Sequence, residues 1–402
     1  MGHIIFTWEL GGGAGHVSGF LPVARQLKAK GHSVQLIVSD IVTAECLLAD
    51  EGIDYIQAPL HLQGGNKSAV SLSYSDILLN TGFYNANSLL ARVKAWLTLY
   101  RLTKPDLILH DHSPAALLAS RTLSIPRALF GTGFSVPPSM EPLPSFRPWV
   151  TVKTQQLEEA DARVLSVINQ VLTTLDELPL TALKQLFDVD ENFLCTLNEL
   201  DHYPERQNAT YWGPRLEVAQ GVSPHWLPTD GKKIFVYVHS YYPHLERLLQ
   251  DIRLSGYSSL IYCPGISAAL VRQYRCETLE FSDKPLQMQA VVDECQLIIS
   301  NAGLGMVSAS LLAGIPMLLL PIHAEQLLVA KRAAALKVAL YEVPENKKGN
   351  FKKQIKRLME NSGFTTAARA FAARYCDSNW EEDQQRLVER CDELMVAGKA
   401  VA

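Results

Sequence analysis

Two stretches of this chain carry residues whose types and spacing could do chemistry. In Ser300-Asn301-Ala302-Gly303-Leu304-Gly305-Met306 a buried apolar run, Leu297 to Ile299, ends in small residues and passes directly into a helical pattern. A strand, a glycine turn and a helix start present unpaired backbone N–H groups to a phosphate. A Gly-x-Pro break, Gly314-Ile315-Pro316, leads into the apolar strand Met317 to Leu320, which stops at Pro321. Glu325-Gln326 falls just beyond it, on the same rim of the sheet. That combination suits a nucleotide diphosphate carrying a sugar.

The other stretch is Gly11-Gly12-Gly13-Ala14-Gly15-His16, between a first apolar strand and a first helix. Any nucleotide-binding α/β protein needs a glycine turn here, so Gly12, Gly13 and Gly15 alone say little. The spacing does not give G-x-G-x-x-G, and no acidic residue clearly ends the second strand, although Asp40 follows it. These two points, and the histidine where the helix begins, lead away from dinucleotides. A histidine at the carboxyl rim of a sheet titrates near neutral pH, which suits His16 to general-base work. A histidine that merely caps the turn is the alternative. A base needs a carboxylate on its other ring nitrogen, and Asp111 ends the strand Leu107 to His110 on the same rim. His110 and His112 flank it, but alternate side chains of an extended segment point apart, so joint metal ligation is not expected.

Alternating strands and helices position these residues. His3 to Trp8 is a strand and Gly19 to Lys30 a helix with Phe20, Val23, Ala24 and Leu27 on one face. Ser33 to Val38, Asp54 to Ala58, Leu107 to His110 and Arg127 to Phe130 continue the first sheet, with helices at Ile41 to Asp50 and Ala115 to Leu123. Ile234 to Val238, Ser259 to Tyr262, Glu277 to Phe281, Leu297 to Ile299 and Met317 to Leu320 form a second. Helices there are Pro243 to Arg253, Leu286 to Val292 and Met306 to Ala313, and a charged amphipathic helix closes the chain at Trp380 to Val396. Repeated β–helix–β at this spacing predicts parallel sheets covered on both faces. Two segments, about 60–84 and 133–149, read as loops, the second because of Pro137, Pro138, Pro142, Pro144 and Pro148. Phe134, Phe146 and Trp149 in it either line an apolar acceptor pocket or anchor the loop.

With 402 residues the natural expectation is two domains. Hydrophobic residues at 48% and charged ones at 19% describe a globular chain, and a net charge of -4 leaves no footprint for nucleic acid. Lys347, Lys348, Lys352, Lys353, Lys356 and Arg357 form one basic cluster, read first as a solvated helix face and second as a membrane-surface patch. The 7 cysteines include no C-x-x-C pair, which argues for a reducing compartment and against a disulfide framework or structural zinc. The apolar start Met1 to Phe6 reads as a core strand rather than a signal peptide, and no stretch is long enough to span a bilayer. A cytoplasmic protein, with peripheral membrane contact at most, is expected.

Gly15-His16-Val17, Leu21-Pro22, Ala24, Leu27 and Gly31-His32-Ser33-Val34 resemble the amino-terminal signature of the UDP-glycosyltransferase superfamily in its bacterial form. Asn301 to Arg332 resembles its donor-binding signature, in which a histidine, glycines, a Gly-x-Pro, an Asp/Glu-Gln pair and a later Ala-x-Arg recur in order. The resemblance implies the GT-B fold: two Rossmann-like, doubly wound α/β domains facing a cleft, with a final helix crossing back. It divides the chain into an acceptor-binding domain at 1–203, a donor-binding domain at 204–375, and a helix in 376–402 packing on the first. It implies an inverting transferase in which His16 deprotonates an acceptor hydroxyl and Asp111 orients it. The donor would be a nucleotide-diphosphate sugar, a UDP-sugar first, the acceptor a small molecule or lipid, and neither metal nor other cofactor would take part.

Gly303, Leu304 and Gly305 match the donor-binding turn, and Glu325 and Gln326 the pair that contacts sugar hydroxyls. Ser240 could give a hydroxyl to the diphosphate. The family's phosphate-binding histidine is Asn301 here, its threonine is Met306, and its ribose-holding glutamate is Ala309. Asn301 still offers an amide donor, and each bond lost at the other two is worth about 0.5–1.5 kcal/mol. Two further readings stand beside the transferase: a sugar-nucleotide epimerase or hydrolase of the same fold, and a catalytically silent relative that partners another transferase.

Overall fold

The computed structural model describes residues 1–61, 70–216, 221–228, 231–346 and 349–401. Lys347 and Lys348 of the basic cluster, and residues 62–69 of the first expected loop, lie outside the described residues. The chain divides into two compact units, Met1–Arg215 with Trp380–Ala402, and Leu216–Asn379.

In chain order the first unit runs β1 (His3–Trp8), α1 (Gly15–Ala29), β2 (Ser33–Val38), α2 (Ile41–Leu48), β3 (Asp54–Gln57), α3 (Tyr74–Asn80), α4 (Ala86–Thr103), β4 (Leu107–Asp111), α5 (Pro114–Ser120), β5 (Arg127–Gly131), α6 (Thr154–Thr174) and β6 (Glu191–Leu194). Its six strands are all parallel in the order β3-β2-β1-β4-β5-β6. Side chains alternate between faces along each strand. Ile5 and Ile108 pack against Trp96 of α4, Leu117 of α5 and Ile168 of α6. Ile4, Phe6, Leu107 and Leu109 pack on the opposite face, against Phe20, Val23 and Leu27 of α1. Phe6 and Phe20 stack with centroids 4.2 Å apart. Burial on both faces is what makes these strands near-continuous apolar runs.

The second unit repeats the scheme with β7 (Lys233–Tyr237), α7 (Leu245–Ser255), β8 (Ser258–Tyr262), α8 (Ala268–Tyr274), β9 (Leu279–Ser282), α9 (Met288–Val292), β10 (Leu297–Ser300), α10 (Leu304–Leu312), β11 (Met317–Leu319), α11 (Ala324–Ala335), β12 (Ala339–Tyr341), α12 (Phe351–Glu360) and α13 (Ser362–Ala373). The order β12-β11-β10-β7-β8-β9 is the same topology read from the other edge. Both sheets are therefore Rossmann-like, and each has its switch point where the first and fourth strands lie side by side. The last helix, α14 (Trp380–Val401), belongs to the first unit and adds Leu387, Cys391 and Leu394 to the layer containing α1.

Several elements differ from the sequence reading. Helix α1 begins at Gly15 rather than Gly19, so two glycines sit inside it and His16 lies in its first turn. Helix α3 falls within the expected loop 60–84, where Asp76 in its first turn accepts from the N–H groups of Leu72 and Ser73. The long helices α4 and α6 and the edge strands β6 and β12 are not announced by any buried apolar run. On α12 the exposed Lys352, Lys353, Lys356 and Arg357 lie opposite buried Phe351, Ile355, Leu358 and Met359, an ordinary solvated face. No helix among the described residues is long and apolar enough to cross a membrane. All seven cysteines are free.

Candidate active site

At the switch point of the first unit, β1 and β4 run in register with Trp8 opposite Asp111. His16 extends back from the first turn of α1 and its Nδ1 lies 2.9 Å from Asp111 Oδ2. Trp8 stacks on the imidazole at 4.8 Å and fixes its plane. Asp111 is buried, and burial opposes its ionisation. The Arg215 guanidinium and His16, both bonded to it, prevail and hold its carboxyl well below the usual carboxylate range. An ionised carboxylate only accepts, so Nδ1 carries the proton and the Nε2 lone pair faces away. Only about a fifth of the His16 side chain (19%) is exposed. Gly11, at φ +87°, comes so near Nε2 that a Cβ there would stand 2.7 Å from it. Gly12, Gly13 and Gly15 have nothing within 4 Å of such an atom. The glycine turn thus sets no side chain over Nε2.

The neighbouring histidines have other tasks. His110 is held at both ring nitrogens, by Thr7 and Ser120 at 2.9 Å each. Burial, reinforced by Arg127, pushes its pKa well down, so it is a neutral core residue. His112 takes a left-handed conformation (φ 44°), and its carbonyl accepts from Leu10 N–H at 3.0 Å. Asp40 caps α2, accepting from the N–H groups of Val42 and Thr43. Phe134 and Phe146 are buried against each other at 5.4 Å and Phe134 also meets Tyr74 and His112, so both anchor the proline-rich loop. Trp149 is 39% exposed.

The second unit's switch point pairs Tyr237 with Ser300. Beyond Ser300, Ala302 turns the chain through a left-handed residue (φ 60°) into α10, whose N-cap is Gly303. No side chain caps this helix, and Gly303 faces open space. The first helical bond runs from Val307 N–H to the Gly303 carbonyl, so the N–H groups of Leu304, Gly305 and Met306 precede the ladder. Met306 is half-buried. Asn301 is buried, its Oδ1 accepting from His239 N–H and its Nδ2 donating to the Leu320 carbonyl, both at 2.8 Å. It ties the ends of β7, β10 and β11 together. Ser240 is half-buried, its Oγ next to Gly265. Gln326 is buried and its Oε1 accepts from Ile322 N–H at 3.0 Å, while Glu325 in the first turn of α11 is half-buried.

Three residues at these rims have no counterpart in the sequence reading. Arg215 lies 104 positions from Asp111 in an irregular connection, where only its charge after Gly213-Pro214 marks it. His239 precedes Ser240 and stacks on Tyr241 at 4.9 Å; burial, then His323, lowers its pKa. Glu9, directly after β1, accepts from Ala115 N–H at 2.8 Å and from Trp96 Nε1. Burial pushes its pKa up to about 7 despite Arg92 and these donors. No group of three or more His, Cys, Asp or Glu side chains among the described residues could hold a metal ion.

Set against family models and curated proteins, the sequence matches none. Among solved structures the chain is similar over its whole length to a spinosyn rhamnosyltransferase, SpnG, with TM-score 0.71 and 16% identity, covering 96% of this chain and 99% of that one. It is similar to the Streptomyces sp. SF2575 glycosyltransferase SsfS6, solved with thymidine diphosphate, at TM-score 0.65 and 18% identity over 97% and 100%. The glycosyltransferase VinC, in complex with DTDP, gives TM-score 0.66 and 16% identity over 96% and 100%. The chain has the fold of these enzymes, the two Rossmann-like units of GT-B.

Proposed function

We propose that the protein is a glycosyltransferase that moves a sugar from a nucleotide-diphosphate sugar to a hydroxyl of a small-molecule acceptor, with inversion. The observation that carries this reading is the His16–Asp111 pair, whose geometry leaves Nε2 free to take a proton. The acceptor oxygen forms the new bond to the anomeric carbon as the bond from that carbon to the diphosphate oxygen breaks. The electron pair leaves with the diphosphate, and the hydroxyl proton passes to His16 Nε2. Asp111 orients the ring and stabilises the imidazolium that forms. Charge on the leaving group falls to the uncapped start of α10, where backbone N–H groups and the helix dipole favour an anion. The first unit would then serve the acceptor and the second the donor, with no metal or other cofactor drawn into the scheme.

Two proteins of this fold were solved with thymidine diphosphate, so TDP-sugars belong beside UDP-sugars as the first donors to offer. A panel of these with hydroxyl acceptors, read as nucleotide diphosphate release, tests the reading. Release that depends on acceptor is expected. Free sugar or an epimer formed without acceptor would instead support a hydrolase or epimerase, and no release from any donor a silent relative.

A further inference from the structure

Asp111 offers one oxygen to two partners. Oδ2 accepts from His16 Nδ1 at 2.9 Å and from Arg215 Nη1 at 2.7 Å. The guanidinium is itself locked in place. Its Nη2 donates to the Phe130 carbonyl at 2.6 Å, and its carbon lies 4.2 Å from the centroid of the Phe130 ring. Gly19 of α1 makes room for its stem: a Cβ at Gly19 would stand 2.6 Å from Arg215 Cδ. A glycine in a helix interior is unfavourable relative to alanine, and here it admits the arginine. The Arg215 side chain is 8% exposed and that of Asp111 3%, so solvent screens neither charge.

We infer that Arg215 is a positioning residue that shares Asp111 Oδ2 with His16, so that the carboxylate orients the imidazole while part of its charge is met by the guanidinium. A buried carboxylate facing a histidine alone favours the imidazolium, and a base that is already protonated cannot accept a proton. With Arg215 present, the buried pair is neutral before the imidazole titrates. Asp111 keeps its hydrogen bond to Nδ1, which sets tautomer and ring plane, while much of its pull on the second proton is spent on the guanidinium. Arg215 is the last residue of the first unit's amino-terminal segment, directly before the chain enters the second unit at Leu216.

The inference rests on His16 acting as the base, and its test reads the proton on His16 separately from turnover. Histidine-labelled protein is titrated by heteronuclear NMR, with the His16 signal assigned by its loss in His16→Gln. Arg215→Met keeps the packing on Phe130 and removes the charge. The His16 midpoint is expected to rise by about one pH unit in Arg215→Met and to stay within a few tenths in Arg215→Lys, with the acidic limb of kcat/KM moving in step. An unmoved midpoint in Arg215→Met, or equal shifts in both variants, would overturn the inference. Should Arg215→Met not fold, Asp111→Asn is compared with Asp111→Asn/Arg215→Met, which contains neither buried charge. The double variant is expected to titrate about one unit higher, and equal midpoints overturn the inference. A midpoint that rises as expected while no nucleotide sugar is consumed would leave the charge division intact and remove the transferase reading.

Discussion

The two sheets share one strand order, yet their switch points are built oppositely. In the first unit the rim gathers side chains with chemistry: a buried carboxylate at the end of β4, an imidazole from the first turn of α1 and an arginine from the connection after β6 pairing the carboxylate. In the second the polar side chain at the matching place, Asn301, is spent on tying three strand ends together, and the open groups are backbone N–H at the start of α10. A shared topology fixes where a ligand can sit. Whether that place moves a proton or cradles an anion depends on a few side chains after the first and fourth strands.

That contrast can be broken most severely at Asp111. Asp111→Asn keeps the shape but leaves Arg215 buried without a counter-charge, which costs about 3–5 kcal/mol, read as a lowered urea midpoint. Transfer should fall as well, because an amide does not hold the required tautomer. Glu9→Gln should remove a pH dependence: between pH 4 and pH 8 the unsubstituted protein should lose about 3 kcal/mol that the variant keeps. Set against this is a pH-independent cost, because the glutamine amide nitrogen cannot accept one of the two bonds from Ala115 N–H and Trp96 Nε1. The folded pKa is raised to about 7 from 4.5, so the folded protein keeps a proton that the unfolded chain releases. That contribution is complete below pH 4.5 and is lost as pH rises through 7, whereas glutamine never loses it. Denaturant titrations at the two pH values check it. Gly11→Ala crowds Nε2 at a position with φ +87°, and a loss of roughly 10–100-fold in kcat is expected with nucleotide affinity unchanged. Asn301→Ala sharpens the other side of the comparison. Losing two buried bonds should lower stability by about 1–3 kcal/mol, while nucleotide affinity measured by calorimetry changes less than about threefold.

Much of this was legible in the sequence. Apolar strands ending in glycine or proline marked both parallel sheets, and Asp111 was recognisable because an acidic residue after a core strand must lie on the rim. The helices α4 and α6 were not, since each buries a stripe on a mostly polar segment and only tertiary packing against the sheet favours it. Helix α1 starts earlier than its glycines suggest because packing of its buried face on β1 overrides the low helix propensity of Gly15 and Gly19. Arg215 itself could not be read, because no local pattern connects it to a carboxylate 104 residues away. The amide of Asn301 read as an available donor, and only the positions of Leu320 and His239 show both its ends in use.

The most direct test separates binding from transfer in His16→Ala. The variant should bind UDP or TDP as tightly as the unsubstituted protein, yet release nucleotide diphosphate from the sugar donor, with acceptor present, about 10²–10⁴-fold more slowly. Transfer at the ordinary rate without the imidazole would contradict the first unit's role as the source of the base.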